Sequence, residues 1–507
     1  MKYIIAHDVG TQSNKAVLIG IDGKVYDSSE HGYEIILPKP GWAEQNPNDY
    51  WSAVCYTTNQ LVSKSVVRKN NIIAMVFSTQ SMGIIPVDQN GEILYNNISW
   101  VDARASIQSK KMMSRFLGKS VFKKITGVEL SGKDVIPKLL WFKELENCLY
   151  KKTHKFLDVN GFLKYKCTGK MVTEWSGACS YGFNLDKKDW ERLFFKVAGI
   201  DVGKLPDLVK STDLIGHLTE KASAELGLST AVKIYGGCDD TQSAAIGSGQ
   251  IADHQAHLYL GTSAWVGIST EKNYKFKRGI ASLQSADPKH SLLVGITESA
   301  GVNVEWALNK LYKKEKNEGI CIYKVMEEEV DATPAGADDL IFTPWFQGER
   351  TPITDTTTRS TIFNLGLEHT RGHIMCALLE GIGYNLRWTI ENIRKDYGID
   401  IKELVVIGGG SKNNSWLQSL SDILEIDLKT TKHPKMSGAI GCAMTALVGL
   451  GIEKDFSIVQ EINTINKVFK PRLKNRKIYQ EMYQNYKTVY TQLKTSYQTI
   501  NAKRFNS

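Results

Sequence analysis

Asp8-Val9-Gly10-Thr11-Gln12-Ser13-Asn14-Lys15 is the stretch from which the fold is read. Apolar residues 3–6 precede it, apolar residues 16–20 follow it, and Asp22-Gly23 marks a further turn. The opening therefore predicts strand, glycine turn, strand. Taken alone it is an ordinary polar β-hairpin. The same residues also suit a phosphate: glycine permits a tight turn, hydroxyls and amides reach phosphate oxygens, Asp8 can hold Mg²⁺ through water, and Lys15 adds a point charge. A second copy favours the phosphate reading. Residues 257–260 lead into Gly261-Thr262-Ser263, and residues 265–268 resume a strand. One glycine-turn hairpin in each half predicts an internally duplicated chain whose two lobes hold a nucleotide between them.

At 507 residues the chain exceeds what one hydrophobic core usually holds, so two domains of roughly 200–250 residues are expected. The glycine-rich, polar residues 246–253 separate a strand closing at Cys238 from one opening at His257. The division is placed at 1–249 and 250–507, with a hinge near Gly249. Apolar runs and helical stretches alternate, among them residues 72–77, 138–145 and 214–226, which predicts an α/β fold. With 42% apolar and 23% charged residues the composition is that of a globular enzyme.

The net charge of +9 raises the question of nucleic acid. Part of the excess lies in residues 467–494, where Tyr479, Tyr483, Tyr486 and Tyr490 recur at helical spacing. That face is expected to pack on the body of the protein rather than stack on bases, so no nucleic-acid partner is expected. No window approaches the roughly 20 apolar residues of a spanning helix, and the apolar start is too short for a secretory signal. No membrane partner and a cytoplasmic location follow as expectations. Eight cysteines stand singly, without zinc-site spacing, and are expected to be reduced thiols.

Two further segments carry chemistry. Gly236-Gly237-Cys238-Asp239-Asp240-Thr241-Gln242 ends an apolar strand with two carboxylates before the small residues Ser243-Ala244-Ala245. An Asp there can accept a hydroxyl proton and aim the oxygen at a γ-phosphate, or it can cap the following helix. Downstream of the amphipathic run 373–393, apolar residues 404–407 end in Gly408-Gly409-Gly410 before a helix from Ser415. That arrangement brings backbone N–H groups and a positive helix end to a nucleotide.

These pieces, with Gly41-Trp42-Ala43-Glu44-Gln45-Asn46-Pro47, Trp100-Val101-Asp102-Ala103-Arg104, Gly348-Glu349-Arg350-Thr351-Pro352 and Glu380-Gly381-Ile382, occur in the order seen in the FGGY carbohydrate kinases, which the chain resembles over nearly its whole length. The resemblance implies a two-lobed, actin-like (ribonuclease H-like) ATPase fold with nucleotide and sugar in the interdomain cleft. It implies that 1–249 carries the sugar site, the first phosphate loop and the catalytic Asp, and that 250–507 carries the second loop, the adenosine site and a C-terminal helix. Asp240 resembles the catalytic base, because Gly247 follows it at the family spacing; Asp239 fits less well. Gly10, Thr11, Gln12, Ser13 and Lys15 look like the first ATP loop, Gly261 and Thr262 like the second, and Gly409, Gly410 and Asn413 like adenosine contacts. Ala300 and Gly301 border the nucleotide. Asp8 and Asp240 are the implied Mg²⁺ ligands.

On the acceptor side, Gln80, Met82, Trp100, Asp102 and Asp240 are the implied substrate contacts. Trp100 would form an aromatic wall, although a lone tryptophan more often packs a core, and Asp102 would accept sugar hydroxyls. Glycerol kinases carry an arginine and a glutamate where this chain has Ser81 and Met82, which disfavours glycerol. Xylulose kinases have Gln-Met-His-Gly here, and Met82 takes the imidazole position. The expectation is an ATP-dependent kinase using Mg²⁺ on a small ketose or polyol, D-xylulose first, with L-xylulose, ribulose, erythritol and gluconate as alternatives. The expected partners are that sugar and ATP, with a homodimer as a permitted assembly. A silent sugar or nucleotide sensor, and a chaperone-like or filament-forming ATPase, are the rival readings on the same fold.

Overall fold

A computed structural model describes residues 1–64, 67–116, 118 and 130–501. The opening hairpin forms as the alternation of its residues requires. In strand Tyr3–Val9, Ile5 and Val9 face helix Pro47–Lys64, packing with Tyr50, Trp51 and Val54. Ile4 and Ala6 face the other way, onto Ala439, Ile440 and Ala443. A strand buried on both sides needs an apolar run, and this one has it.

Among the described residues two seven-stranded sheets dominate, beside five two-stranded ones. The first runs in the order Leu214–His217, Lys233–Tyr235, Ile72–Thr79, Tyr3–Val9, Ser13–Gly20, Val25–Gly32, with Cys238–Asp239 also paired to Ile72–Thr79. The second runs Ile280–Gln284, Ser291–Thr297, Ala264–Thr270, Ala256–Leu260, Glu403–Ile407, Asp427–Thr431, Ile465–Phe469. Tyr3–Val9 is antiparallel to Ser13–Gly20 and parallel to Ile72–Thr79. Ala256–Leu260 is likewise antiparallel to Ala264–Thr270 and parallel to Glu403–Ile407. Both glycine-turn hairpins thus sit at the centre of their sheets with the same partners, and the duplication is real in space.

The expected elements are refined in two places. Residues 214–226 divide into strand Leu214–His217 and helix Glu220–Leu226. The basic run 467–494 divides between edge strand Ile465–Phe469 and helix Arg476–Asn501, whose Tyr479, Tyr483, Tyr486 and Tyr490 are buried against Trp345 and Tyr384.

A division at Gly249 describes chain order, and one helix crosses it. Ser437–Gly449 lies late in the sequence yet packs on the first sheet and on helix Asp240–Gly247. The contact is made of small residues. A Cβ on Gly247 would lie 1.8 Å from the Ser437 carbonyl oxygen, and one on Gly441 would lie 1.9 Å from that of Ser243. Gly441→Ala or Gly247→Ala is therefore expected to cost about 3 kcal/mol or more, since backbone cannot yield as a side chain can. Urea unfolding measures it, and a loss under about 1 kcal/mol would show that the helices part freely.

Candidate active site

Parallel pairing in the first sheet brings three segments to one edge. Asp8 is opposite Ser78, and Ser78 is opposite Cys238. The Ser78 hydroxyl donates to Asp8 Oδ1 at 3.2 Å and lies 2.7 Å from the Ser243 hydroxyl. The first hairpin, the end of the parallel strand and the helix from Asp240 are thereby joined.

The adjacent carboxylates Asp239 and Asp240 separate by role. Asp239 is buried and accepts from the Gln242 N–H at 2.8 Å, closing the N-terminus of helix Asp240–Gly247. Asp240, half-buried, accepts a 3.4 Å contact from the hydroxyl of Thr241 and is also reached by the Thr241 backbone N–H. Burial, then the nearby charge of Asp8, raises its pKa to about 7. Burial also raises Asp8, against the opposing charge of Lys15 and the Ser78 bond. A Cβ on Gly438 would lie 2.6 Å from Asp8 Oδ2, so the start of helix Ser437–Gly449 presses directly on that carboxylate.

The first turn is held in shape from several sides. The Gly10 N–H donates to the Ser13 carbonyl at 3.0 Å, Tyr33 Oη donates to the Gly10 carbonyl at 2.5 Å, and Gln45 Nε2 donates to the Thr11 carbonyl at 2.8 Å. Gln12 and Lys15 are exposed, whereas the Ser13 hydroxyl is engaged by Glu30. The second turn is built alike. The Gly261 N–H donates to the Ser263 carbonyl, and the N–H groups of Ala300 and Gly301 donate to the carbonyls of Thr262 and Gly261. Gly301 opens helix Gly301–Leu311, and a Cβ there would be 2.3 Å from the Gly261 oxygen. In the third glycine segment Gly408 has φ +91, Gly409 is open to solvent, and Asn413 caps helix Asn414–Leu424 by accepting from the Trp416 N–H.

The acceptor-side residues correct one expectation. Asp102 does not offer a free carboxylate: it is fully buried, ion-paired to Arg104 at 2.8 Å, and accepts from the Ala43 N–H at 2.6 Å. Arg104 also pairs with Glu44 at 2.8 Å and lies 3.7 Å from the centre of the Trp42 ring. The two aromatic-rich motifs are thus one clamp, closed by a guanidinium between two carboxylates. Gln80 is likewise buried, with Nε2 donating to Gln45 and Tyr50, so it supports the first turn through Gln45. Trp100 is half-buried and its Nε1 donates to Thr11 Oγ1 at 2.9 Å, tying the Trp100–Arg104 segment to the first glycine turn. Met82 is half-buried in the left-handed region at φ +61.

Residues 3–247 match the N-terminal domain and residues 256–450 the C-terminal domain of the FGGY family of carbohydrate kinases. The chain is 31% identical to the xylulose kinase of Bacillus subtilis (strain 168) across 97% of its length and 98% of that protein. The chain belongs to the FGGY family of carbohydrate kinases.

Two solved FGGY kinase structures are similar throughout. The ligand-bound xylulose kinase from Lactobacillus acidophilus gives a TM-score of 0.89 at 27% identity, covering 99% of this chain and all (100%) of that one. The gluconate kinase from Lactobacillus acidophilus gives 0.88 at 27% identity, covering 98% and 99%. The protein is an ATP-dependent carbohydrate kinase of the two-lobed, actin-like ATPase fold. Among the described residues no helix is long and apolar enough to cross a membrane.

Several supporting residues of this FGGY site escape a reading by motif role. Gln45 and Arg104 lie inside quoted motifs, but their work as turn support and clamp depends on partners distant in sequence. Tyr259 and Trp265, stacked with centroids 3.8 Å apart, flank the second turn and announce themselves only as apolar strand residues. Because the charged carboxylate is the proton-accepting form, an Asp240 base with a pKa near 7 should lose activity below that pH. The expected acid limb of kcat/KM for the acceptor falls about tenfold per unit below roughly pH 7. A flat profile down to pH 5 would remove Asp240 from the role of base.

Proposed function

We propose that this kinase phosphorylates a terminal hydroxyl of a small open-chain ketose, with D-xylulose the leading acceptor. The observation that carries the reading is the uncharged wall at residues 80–83. Ser81 and Met82 provide no charged pair, and both are half-buried. A buried clamp of opposite charges is what a very small triol needs; a longer ketose finds hydrogen bonds elsewhere and packs its carbon chain on Met82. The similarity to xylulose kinases supports the same acceptor, and the gluconate kinase likeness makes a sugar acid the first alternative.

In this reading Asp240 is the general base. Its carboxylate accepts the hydroxyl proton and orients the acceptor oxygen in line with the γ-phosphate. Gly10, Thr11, Gln12 and Lys15 meet the phosphates from one side, and Gly261 and Thr262 from the other. Gly301 fixes the second turn, and Gly409, Gly410 and Asn413 border the adenosine.

The chemistry of the donor set fits Mg²⁺. The charge of Asp8 raises the proton affinity of Asp240, and Asp8 is itself raised by burial, with the Lys15 charge and the Ser78 hydroxyl opposing. A divalent ion held by one or two carboxylates and the substrate phosphates matches that donor set. When bound it would neutralise charge on the transferring phosphoryl group. Catalysis by the chain itself is then positioning and exclusion of water between the lobes.

Asp240→Asn is expected to lower kcat by roughly 10²–10⁴-fold while ATP affinity stays near that of the wild type. Wild-type turnover in Asp240→Asn, with Asp239→Asn inactive but folded, would move the base to Asp239. Substrate choice is tested by kcat/KM for D-xylulose, D-ribulose, L-xylulose, glycerol, erythritol and gluconate in one assay. Glycerol should trail the best pentulose by roughly 10²–10⁴-fold, the cost of an absent hydrogen-bonding charge pair. Glycerol in first place would overturn the argument from Ser81 and Met82, and gluconate or erythritol in first place would overturn the pentulose.

A further inference from the structure

Lys138 is a buried cation without a counter-ion. It lies in helix Val135–Leu145, is 0% exposed, and has no carboxylate within ion-pair distance among the described residues. Burial lowers its pKa to about 7, with Asp102 opposing the shift from a distance. An ammonium in that setting is costly unless its donors are used. They are used on backbone. Lys138 Nζ donates to the Met82 carbonyl at 3.0 Å and to the Ser99 carbonyl at 2.8 Å.

Those carbonyls belong to the two segments that carry the acceptor-side wall. Met82 has a left-handed backbone at φ +61, a conformation that a methionine adopts only when its surroundings impose it. Ser99 directly precedes Trp100. The next residue on the first segment, Gly83, has no room for a Cβ against Asn97, and its carbonyl accepts from Tyr181 Oη at 2.6 Å. The same helix places Trp141 5.1 Å from the Arg104 guanidinium, so it supports the Trp42–Arg104 clamp while its lysine joins residues 82 and 99.

We propose that Lys138 is a positioning residue for the acceptor: by holding the Met82 and Ser99 carbonyls on one ammonium it sets the spacing between the Met82 and Trp100 side chains that receive the sugar. The proposal rests on the reading above that the acceptor lies between those two side chains. Lys138 makes no contact with ATP or the reacting oxygen in this scheme, so its effect is confined to acceptor binding. An aliphatic core lysine would serve packing alone, and its loss would lower stability without separating one substrate from the other.

The test compares Lys138→Met, which keeps the stem and removes every donor, with Lys138→Gln, which keeps an N–H₂ group. Acceptor KM, ATP Kd and thermal midpoint are measured for each, with the best sugar of the panel. For Lys138→Met the acceptor KM should rise about 10–100-fold, as expected for loss of hydrogen bonds to a charged group, with an intermediate rise for Lys138→Gln. ATP Kd should stay within about twofold in both. An unchanged acceptor KM in a folded variant, or equal weakening of acceptor and ATP, overturns the proposal. If Lys138→Met does not fold, Lys138→Gln decides by the same criteria. A wild-type protein that phosphorylates none of the sugars refutes the acceptor reading instead, which separates the two failures.

Discussion

The close approach of helices Asp240–Gly247 and Ser437–Gly449 is the constraint on which the site depends. Gly247 and Gly441 leave no side chain between the two backbones, and each faces a carbonyl of the partner helix. The N-terminus of one helix delivers Asp240. The N-terminus of the other presses Gly438 against Asp8. A methyl group at either glycine would wedge the helices apart and carry the two carboxylates with them. Asn463 reinforces the contact by donating from Nδ2 to the Gly247 carbonyl at 2.7 Å.

The carboxylates that result fall into two kinds, and the difference is physical. Asp102 and Glu44 are neutralised by Arg104, so their burial is compensated within the fold, whereas Asp239 caps its helix and is still pushed well above the usual carboxylate range by burial and the charges of Asp240 and Glu174. Asp8 and Asp240 are compensated only in part, Asp8 by the Lys15 charge and the Ser78 hydroxyl and Asp240 by Thr241; burial raises both, and the charge of Asp8 raises Asp240 further. A protein tolerates such a partly compensated pair where the packing around it is rigid, and the helix contact supplies that rigidity. Lys138 is the cationic counterpart: its charge is met by peptide carbonyls, which ties structure rather than chemistry to it.

Much of the fold was legible because periodicity and glycine turns are local. The hairpins at residues 3–20 and 256–270, the buried tyrosine stripe of the last helix, and the glycine segment after residue 407 each follow from neighbours within a few positions. Spacing to Gly247 distinguished Asp240 from Asp239 in the sequence, and in the fold Asp239 caps the helix while Asp240 meets Thr241. Asp102 was misread, since a carboxylate two residues from an arginine gives no sign of whether it faces a ligand or that arginine. Gln80 was read as a contact although its amide lies within a buried network with Gln45 and Tyr50.

By itself the sequence determined a duplicated α/β chain with glycine turns apt for phosphate, a small-residue helix led by an aspartate, and an uncharged segment at Ser81 and Met82. Those properties reside in residue type and short spacing, which need no knowledge of distant partners. Only the tertiary structure decided which polar groups are free. Arg104 closes on Glu44 from 60 positions away, Trp100 reaches Thr11, Lys138 spans Met82 and Ser99, and a late helix returns to the first sheet beside Asp8 and the Asp240 helix. Whether a buried polar group is engaged or available depends on atoms brought within about 3 Å from remote parts of the chain, and that proximity exists only once the chain is packed.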